Sequence, residues 1–217
     1  MLMERERRST RRPVPDRRAR RCHGDDGTII AEAALLTPFF ITLMFGMLEF
    51  GGLFRDYLTL ANTTAAGARQ AAIQGNVTDA DYWILKSIKT ASGAMPWSQV
   101  QQVIIYKANP PSAGSAPLNA PPSACLTGGQ SGVCNTYSAS DLAAFPATES
   151  LSWQQGTATD QGNWPASSRY VLVASPGPDY VGVYVKVLHP WITGLFGTNV
   201  TLTNNTTGQL EPQKLSS

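Results

Sequence analysis

The sequence has few of the residues that most often carry catalysis or bind metal ions. It holds two histidines and three cysteines in 217 residues, and it contains no Gly-x-Ser-x-Gly, His-Glu-x-x-His or Gly-rich phosphate-binding motif. After residue 27 its one histidine is His189, which precedes Pro190 at a predicted strand end and is interpreted as structural. The sequence therefore predicts a protein that is not an enzyme and uses no cofactor, metal ion or small-molecule substrate.

A basic surface is also missing from most of the chain. Residues 1–27 hold nine Arg against five acids, whereas the rest holds eight basic residues against ten acids. The body of the protein is thus slightly acidic, which argues against nucleic-acid binding. The basic charge belongs to an N-terminal tail.

The strongest positive signal is the apolar run at residues 28–54, whose only charges are Glu32 and Glu49 with sixteen uncharged residues between them. About 20 apolar residues suffice for a helix to cross a bilayer. We therefore predict a transmembrane helix over 28–54, which Pro38 is expected to kink. The alternatives are a buried core helix and a cleaved secretory signal peptide.

The arginine-rich tail also predicts the orientation of this span. Basic residues flanking a span stay on the cytoplasmic side, and the far flank, Arg55–Asp56, is neutral. We expect a single-pass protein of the bacterial cell membrane, with residues 1–27 as a cytoplasmic leader and the C-terminal part outside.

The entry to the apolar run is distinctive, since Gly27 directly precedes it and Glu32 follows five residues later. This arrangement resembles the processing site of type IV prepilins. The resemblance implies that prepilin peptidase cuts between Gly27 and Thr28, leaving the helix intact and Glu32 as the fifth mature residue.

Residues 27–72 as a whole resemble the TadE-like family, the pseudopilins of the tight-adherence (Flp) pilus system. The resemblance is carried by Gly27, Ala-Glu-Ala-Ala-Leu-Leu at 31–36, Pro38, Gly46-x-x-Glu49-x-Gly51 and an Ala-rich tail with Arg69. It implies a non-enzymatic minor pilin or pseudopilin, whose partners are the membrane, prepilin peptidase, other pilins and pilus assembly components. The alternative is a signal-anchored surface enzyme or adhesin unrelated to pili.

The two acids of the span invite different interpretations. A carboxylate inside a bilayer is costly unless it is paired, which makes it a functional candidate. Glu32 either extends to the cytoplasmic headgroups or pairs, for assembly, with the α-amine of Thr28 in its own or a neighbouring subunit. Glu49 is interpreted as a solvated acid at the outer interface, so that Glu49→Ala should have a milder effect on assembly than Glu32→Ala.

Residues 55–75 predict a helical stalk with small residues on one face, packed either on its own domain or on neighbouring subunits. That face holds Leu58, Ala61, Ala65, Ala68 and Ala72. Gly51-Gly52 is expected to interrupt the helix and Gly75-Asn76 to end it.

Residues 76–217 predict an extracytoplasmic α+β domain with a small antiparallel sheet and long loops. The periodicity favours a helix over 79–94, capped by Thr78 or Asp79, and the β-branched runs favour strands. The predicted strands are Val100–Lys107, Tyr170–Ala174, Tyr180–Leu188 and, more weakly, Asn199–Thr203.

A loop rich in Pro, Ser and Gly over 109–132 is too poor in bulky apolar residues to form a core. It contains Cys125, and Cys134 follows shortly after it. In an oxidising compartment the two are expected to form a disulfide, which would contribute about 2–3 kcal/mol in the chain-entropy model. Cys22 is expected to be a free thiol in the leader.

Overall fold

The computed structural model describes residues 24–112, 114–146, 162–174 and 176–212. The chain divides into two compact units, Met1–Gly46 and Met47–Ser217. The leader as far as residue 23, with Cys22, lies outside the described residues.

The first element is a single long helix, α1, which runs over Gly24–Gln74. One stretch of it, within Gly27–Gln74, is long and apolar enough to cross a membrane. The predicted break at Gly51-Gly52 is wrong, because the helix continues through both residues. The predicted end is confirmed: Gly75 follows with a φ of 55°, a left-handed conformation that glycine adopts without strain.

The part of α1 after Met47 contributes to the core of the second unit. Leu60, Gly67 and Ala71 lie on its buried face, and an added Cβ at Gly67 would come within 2.9 Å of Ile88. The predicted small-residue face is only partly right, because Ala68 is buried while Leu58 is exposed. This half of α1 therefore packs on its own domain along a face rotated from the predicted one.

The domain continues with a second helix and a four-stranded sheet, which confirms the α+β fold. The sheet is antiparallel throughout, in the order β2-β1-β3-β4. The elements are α2 at Ala80–Ala91, β1 at Val100–Lys107, β2 at Cys134–Ser138, α3 at Ala139–Ala143, β3 at Tyr180–Pro190 and β4 at Asn199–Gln209.

One of the strand predictions is wrong, and one observed strand was not predicted. Tyr170–Ala174 is not a strand. Tyr170 instead closes a loop onto Asp179, whose carboxylate accepts its N–H at 2.9 Å. The observed strand that was not predicted is β2, a short and mostly polar run that pairs with β1.

The sheet has a core on each face. On one face, α1 and α2 pack against the alternating valines of β3, with Leu60, Ile84, Leu85, Ile88 and Trp164 among the buried residues. The other face carries a smaller cluster in which Ile104, Tyr106 and Ala108 meet Cys125 and Cys134. These two core clusters hold the sheet together, and β3 and β4 lie beside the part of α1 that follows Met47.

Candidate functional site

The start of the apolar run lies within α1 and is exposed. Gly27, Thr28 and Glu32 are all helical, and an added Cβ at Gly27 would meet no heavy atom within 4 Å. Glu32 forms no hydrogen bond or ion pair with the part of the chain that the structure describes. Its carboxylate is thus available to another molecule.

Pro38 lies in the same exposed stretch, inside α1. It cannot donate the usual helical N–H bond to the carbonyl of residue 34. Two threonines bond to carbonyls nearby, Thr37 to Ala33 at 2.6 Å and Thr42 to Pro38 at 2.8 Å. The helix is continuous here, and the kink at Pro38 stays a prediction.

The burial of Glu49 contradicts its interpretation from the sequence as a solvated acid. It is 1% exposed, and its carboxylate accepts hydrogen bonds from three donors in the loop between β3 and β4. These are the N–H of Ile192 at 3.0 Å, the N–H of Thr193, and the Thr193 hydroxyl at 2.7 Å. Glu49 therefore holds that loop against α1 and is not a solvated acid.

A second buried acid lies two turns further along the same helix. The Asp56 carboxylate is 2.7 Å from Nδ1 of His189, at the end of β3, and 2.9 Å from the Arg55 guanidinium. Both Asp56 and His189 are buried. Glu49 and Asp56 thus make two polar attachments between α1 and the β3–β4 hairpin.

Replacing Glu49 by Ala should loosen this hairpin, because three donors would lose their acceptor. These bonds are part-buried, and a donor that water cannot reach costs about 1–3 kcal/mol when it loses its acceptor. We expect faster amide hydrogen exchange over residues 190–198 of the full-length protein in detergent. Thr193→Val, which removes only the hydroxyl, should have a smaller effect. Glu32→Ala is the matched control, and equal exchange in Glu49→Ala and this control would contradict the prediction.

A further polar cluster ties α2 to the sheet. Asp81 accepts hydrogen bonds from Asn135 at 2.7 Å and Tyr137 at 2.8 Å, and it pairs with the buried Arg169. The Arg169 guanidinium also lies over the Trp164 ring, 4.6 Å from its centroid. Burial and the neighbouring Asp81 raise the pKa of Tyr137 well above its usual value. These contacts are internal to the domain and explain its packing.

The disulfide between Cys125 and Cys134 is present, with the Cα atoms 6.2 Å apart. It joins the Pro-rich loop to the first residue of β2 and contributes to the smaller core. Thr136 strengthens the same junction by donating its hydroxyl to the Cys125 carbonyl at 2.8 Å.

Sequence reasoning missed the attachment of the β3–β4 loop to α1. One signal could have indicated it, namely that residues 187–210 contain no Asp, Glu, Lys or Arg. A long hairpin without charged residues is unusual for a surface in contact with water.

Comparison with known proteins finds a family match within the apolar helix. Residues 27–69 match the family model described as TadE-like protein. These residues lie entirely within α1, and the match covers about a fifth of the chain. No curated protein and no solved structure matches the chain.

Proposed function

We propose that this chain is a minor pilin or pseudopilin that takes part in assembly of a tight-adherence pilus. The match to the TadE-like family suggests involvement in Tad pilus assembly, and this family is structural and pilus-associated. The observation that carries the proposal is the coincidence of two boundaries. The matched residues begin at Gly27, which is the residue directly before the apolar run at 28–54.

In this proposal α1 crosses the membrane with the arginine-rich leader in the cytoplasm and the α+β domain outside. The charge difference across the apolar run supports that orientation. The disulfide supports it too, since such bonds form and persist in oxidising compartments outside the cytoplasm.

Assembly would use the exposed first turns of the apolar run. Removal of the leader by prepilin peptidase creates an α-amine on Thr28, which carries a positive charge. A Glu32 carboxylate in the same or a neighbouring subunit is the complementary group, and both lie on the exposed part of α1. The other pilins and the assembly components are then recognised through this helix.

Processing tests the proposal most directly. We expect the membrane-purified protein to begin at Thr28, because Gly27 is exposed and stands directly before the apolar run. Intact-protein mass spectrometry measures the new terminus. A signal-anchored enzyme or adhesin would instead keep Met1 or Met3.

Two controls accompany this measurement. Gly27→Leu should leave the fold unchanged, because no heavy atom lies near an added Cβ, and it should block cleavage. A strain without prepilin peptidase should give the same uncleaved mass. An N-terminus at Met1 or Met3 in cells with active peptidase, or one beyond Phe50, rejects the proposal.

A further inference from the structure

The loop between β3 and β4, residues 191–198, exposes bulky apolar side chains. Ile192 is 83% exposed, Leu195 54% and Phe196 48%. The loop contains no charged residue. Loops of soluble domains run through water and are usually polar, so a cluster of this kind marks an interaction surface.

The position of this loop is fixed by its contacts with α1. Glu49 binds the N–H groups of Ile192 and Thr193. The Phe50 ring packs on Trp191, with the ring centroids 6.1 Å apart, and on Phe196 at 5.2 Å. The loop therefore lies beside the first turn of the second unit, which is the C-terminal end of the apolar run.

The helix surface at this point is also apolar and exposed. Met47, Leu48, Phe50 and Phe54 are all exposed. The acid among them, Glu49, is enclosed by the loop and presents almost no charge to the outside. The loop and the helix thus form one uncharged apolar surface, joined through Phe50.

We infer that the tip of the β3–β4 hairpin, Ile192–Phe196, inserts into the outer headgroup and acyl-chain boundary of the membrane that α1 crosses. The inference rests on the proposed anchoring. Phe50 belongs to the span proposed at 28–54 and packs on Trp191 and Phe196 of the loop, so the chain itself brings the tip to the outer end of the span. Aromatic and aliphatic side chains are favoured in this boundary, where Trp191 and Phe196 would lie.

The enclosure of Glu49 by the loop allows this end of α1 to enter the boundary region of the membrane. A free carboxylate at the outer end of a span would need hydration and would limit how deeply the helix lies. With its oxygens bound by three donors of the loop, the acid can enter the boundary region together with the hairpin. The folded domain then contacts the lipid through two segments, α1 and the tip of the hairpin.

The test uses spin labels on the full-length protein, in a Cys22→Ser background, in vesicles of phosphatidylethanolamine and phosphatidylglycerol. Labels are placed at Leu195→Cys, at Val173→Cys and, inside the span, at Phe40→Cys. Val173 is 72% exposed and lies in the loop before β3, whereas Leu195 follows the other end of that eleven-residue strand, about 33 Å along it. Frequent collisions of a label with oxygen indicate that the label lies in lipid. Frequent collisions with a water-soluble nickel chelate indicate that it lies in water.

We expect the Leu195 label to lose most of its nickel collisions relative to Val173 while keeping high oxygen collisions. Ile192→Cys, at the most exposed tip position, gives a second reading. Equal nickel access at Leu195 and Val173 overturns the inference. Protection from both reagents at Leu195 also overturns it, in favour of contact between copies of the chain. A Phe40 label in water would overturn the anchoring as well, whereas Phe40 in lipid with Leu195 in water rejects only the inserted hairpin.

Discussion

Cells carrying Glu32→Ala are expected to lose their pili while keeping normal amounts of the processed protein in the membrane. The side chain is exposed, so its removal should not unfold the α+β domain. For insertion the acid is a burden, and alanine should insert as well or better, by at most about 3 kcal/mol. Immunoblots of membrane and sheared-fibre fractions, with electron microscopy, measure both quantities.

The expected loss of assembly has an electrostatic cause. Unlike charges attract far more strongly in low-dielectric surroundings than in water. A pair between the Glu32 carboxylate and the Thr28 α-amine would set the axial register of packed helices. Removing one member leaves the other charge unpaired in the membrane, which is costly.

Two variants sharpen the test. Glu32→Asp keeps the charge on a shorter side chain and should retain part of the assembly, whereas Glu32→Gln keeps the shape and should fail. Glu211→Ala removes an exposed acid of the outer domain and serves as the control. Parental levels of pili in Glu32→Ala cells would show that Glu32 is only a boundary residue that extends to the headgroups.

Glu49 is buried by contacts within the folded domain, unlike Glu32, and the milder effect of Glu49→Ala on assembly stays a prediction. Its carboxylate is enclosed by Ile192 and Thr193, so Glu49→Ala should act on the folded domain. A defect there would lower the amount or order of the protein before assembly is reached. The variant Glu32→Ala thus tests assembly, whereas Glu49→Ala tests the folding of the domain.

The sequence predicts those elements of the fold that have a pattern of their own over a short stretch of residues. The apolar run, the periodic residues of α2 and the alternating valines of β3 each signal one element. β1 was placed at its observed bounds, Val100–Lys107. The disulfide was predicted because a short loop and an oxidising compartment favour it.

The rest depends on contacts distant in sequence. Glu49 and Thr193 are 144 residues apart, and Asp56 and His189 are 133 apart, so no window of sequence shows that they meet. β2 has little alternation of its own and is held by pairing with β1. At Gly27 and Glu32 the pattern is local, so the sequence alone supports a prediction there, which stays a prediction, whereas at the hairpin it supports none.

Gly182→Ala should cause a large loss of stability in the domain. Gly182 lies in β3 directly opposite Tyr106 of β1, and the tyrosine ring covers it. An added Cβ would come within 2.1 Å of the Tyr106 ring. Tyr106 cannot move aside, because it is fully buried with Ile104 and the disulfide.

Overpacking of this kind typically costs about 1–3 kcal/mol and occasionally more, and we expect Gly182→Ala at the upper end, about 3 kcal/mol. Denaturant unfolding of the full-length protein in detergent, followed by tryptophan fluorescence, measures the loss. Gly128→Ala is the control, since an added Cβ there meets nothing within 4 Å. In the Gly182→Ala background, Tyr106→Leu should recover part of the stability by removing the ring, whereas Tyr106→Phe should not. Unfolding of Gly182→Ala at the parental denaturant concentration would mean that the ring does not lie over β3 at this position.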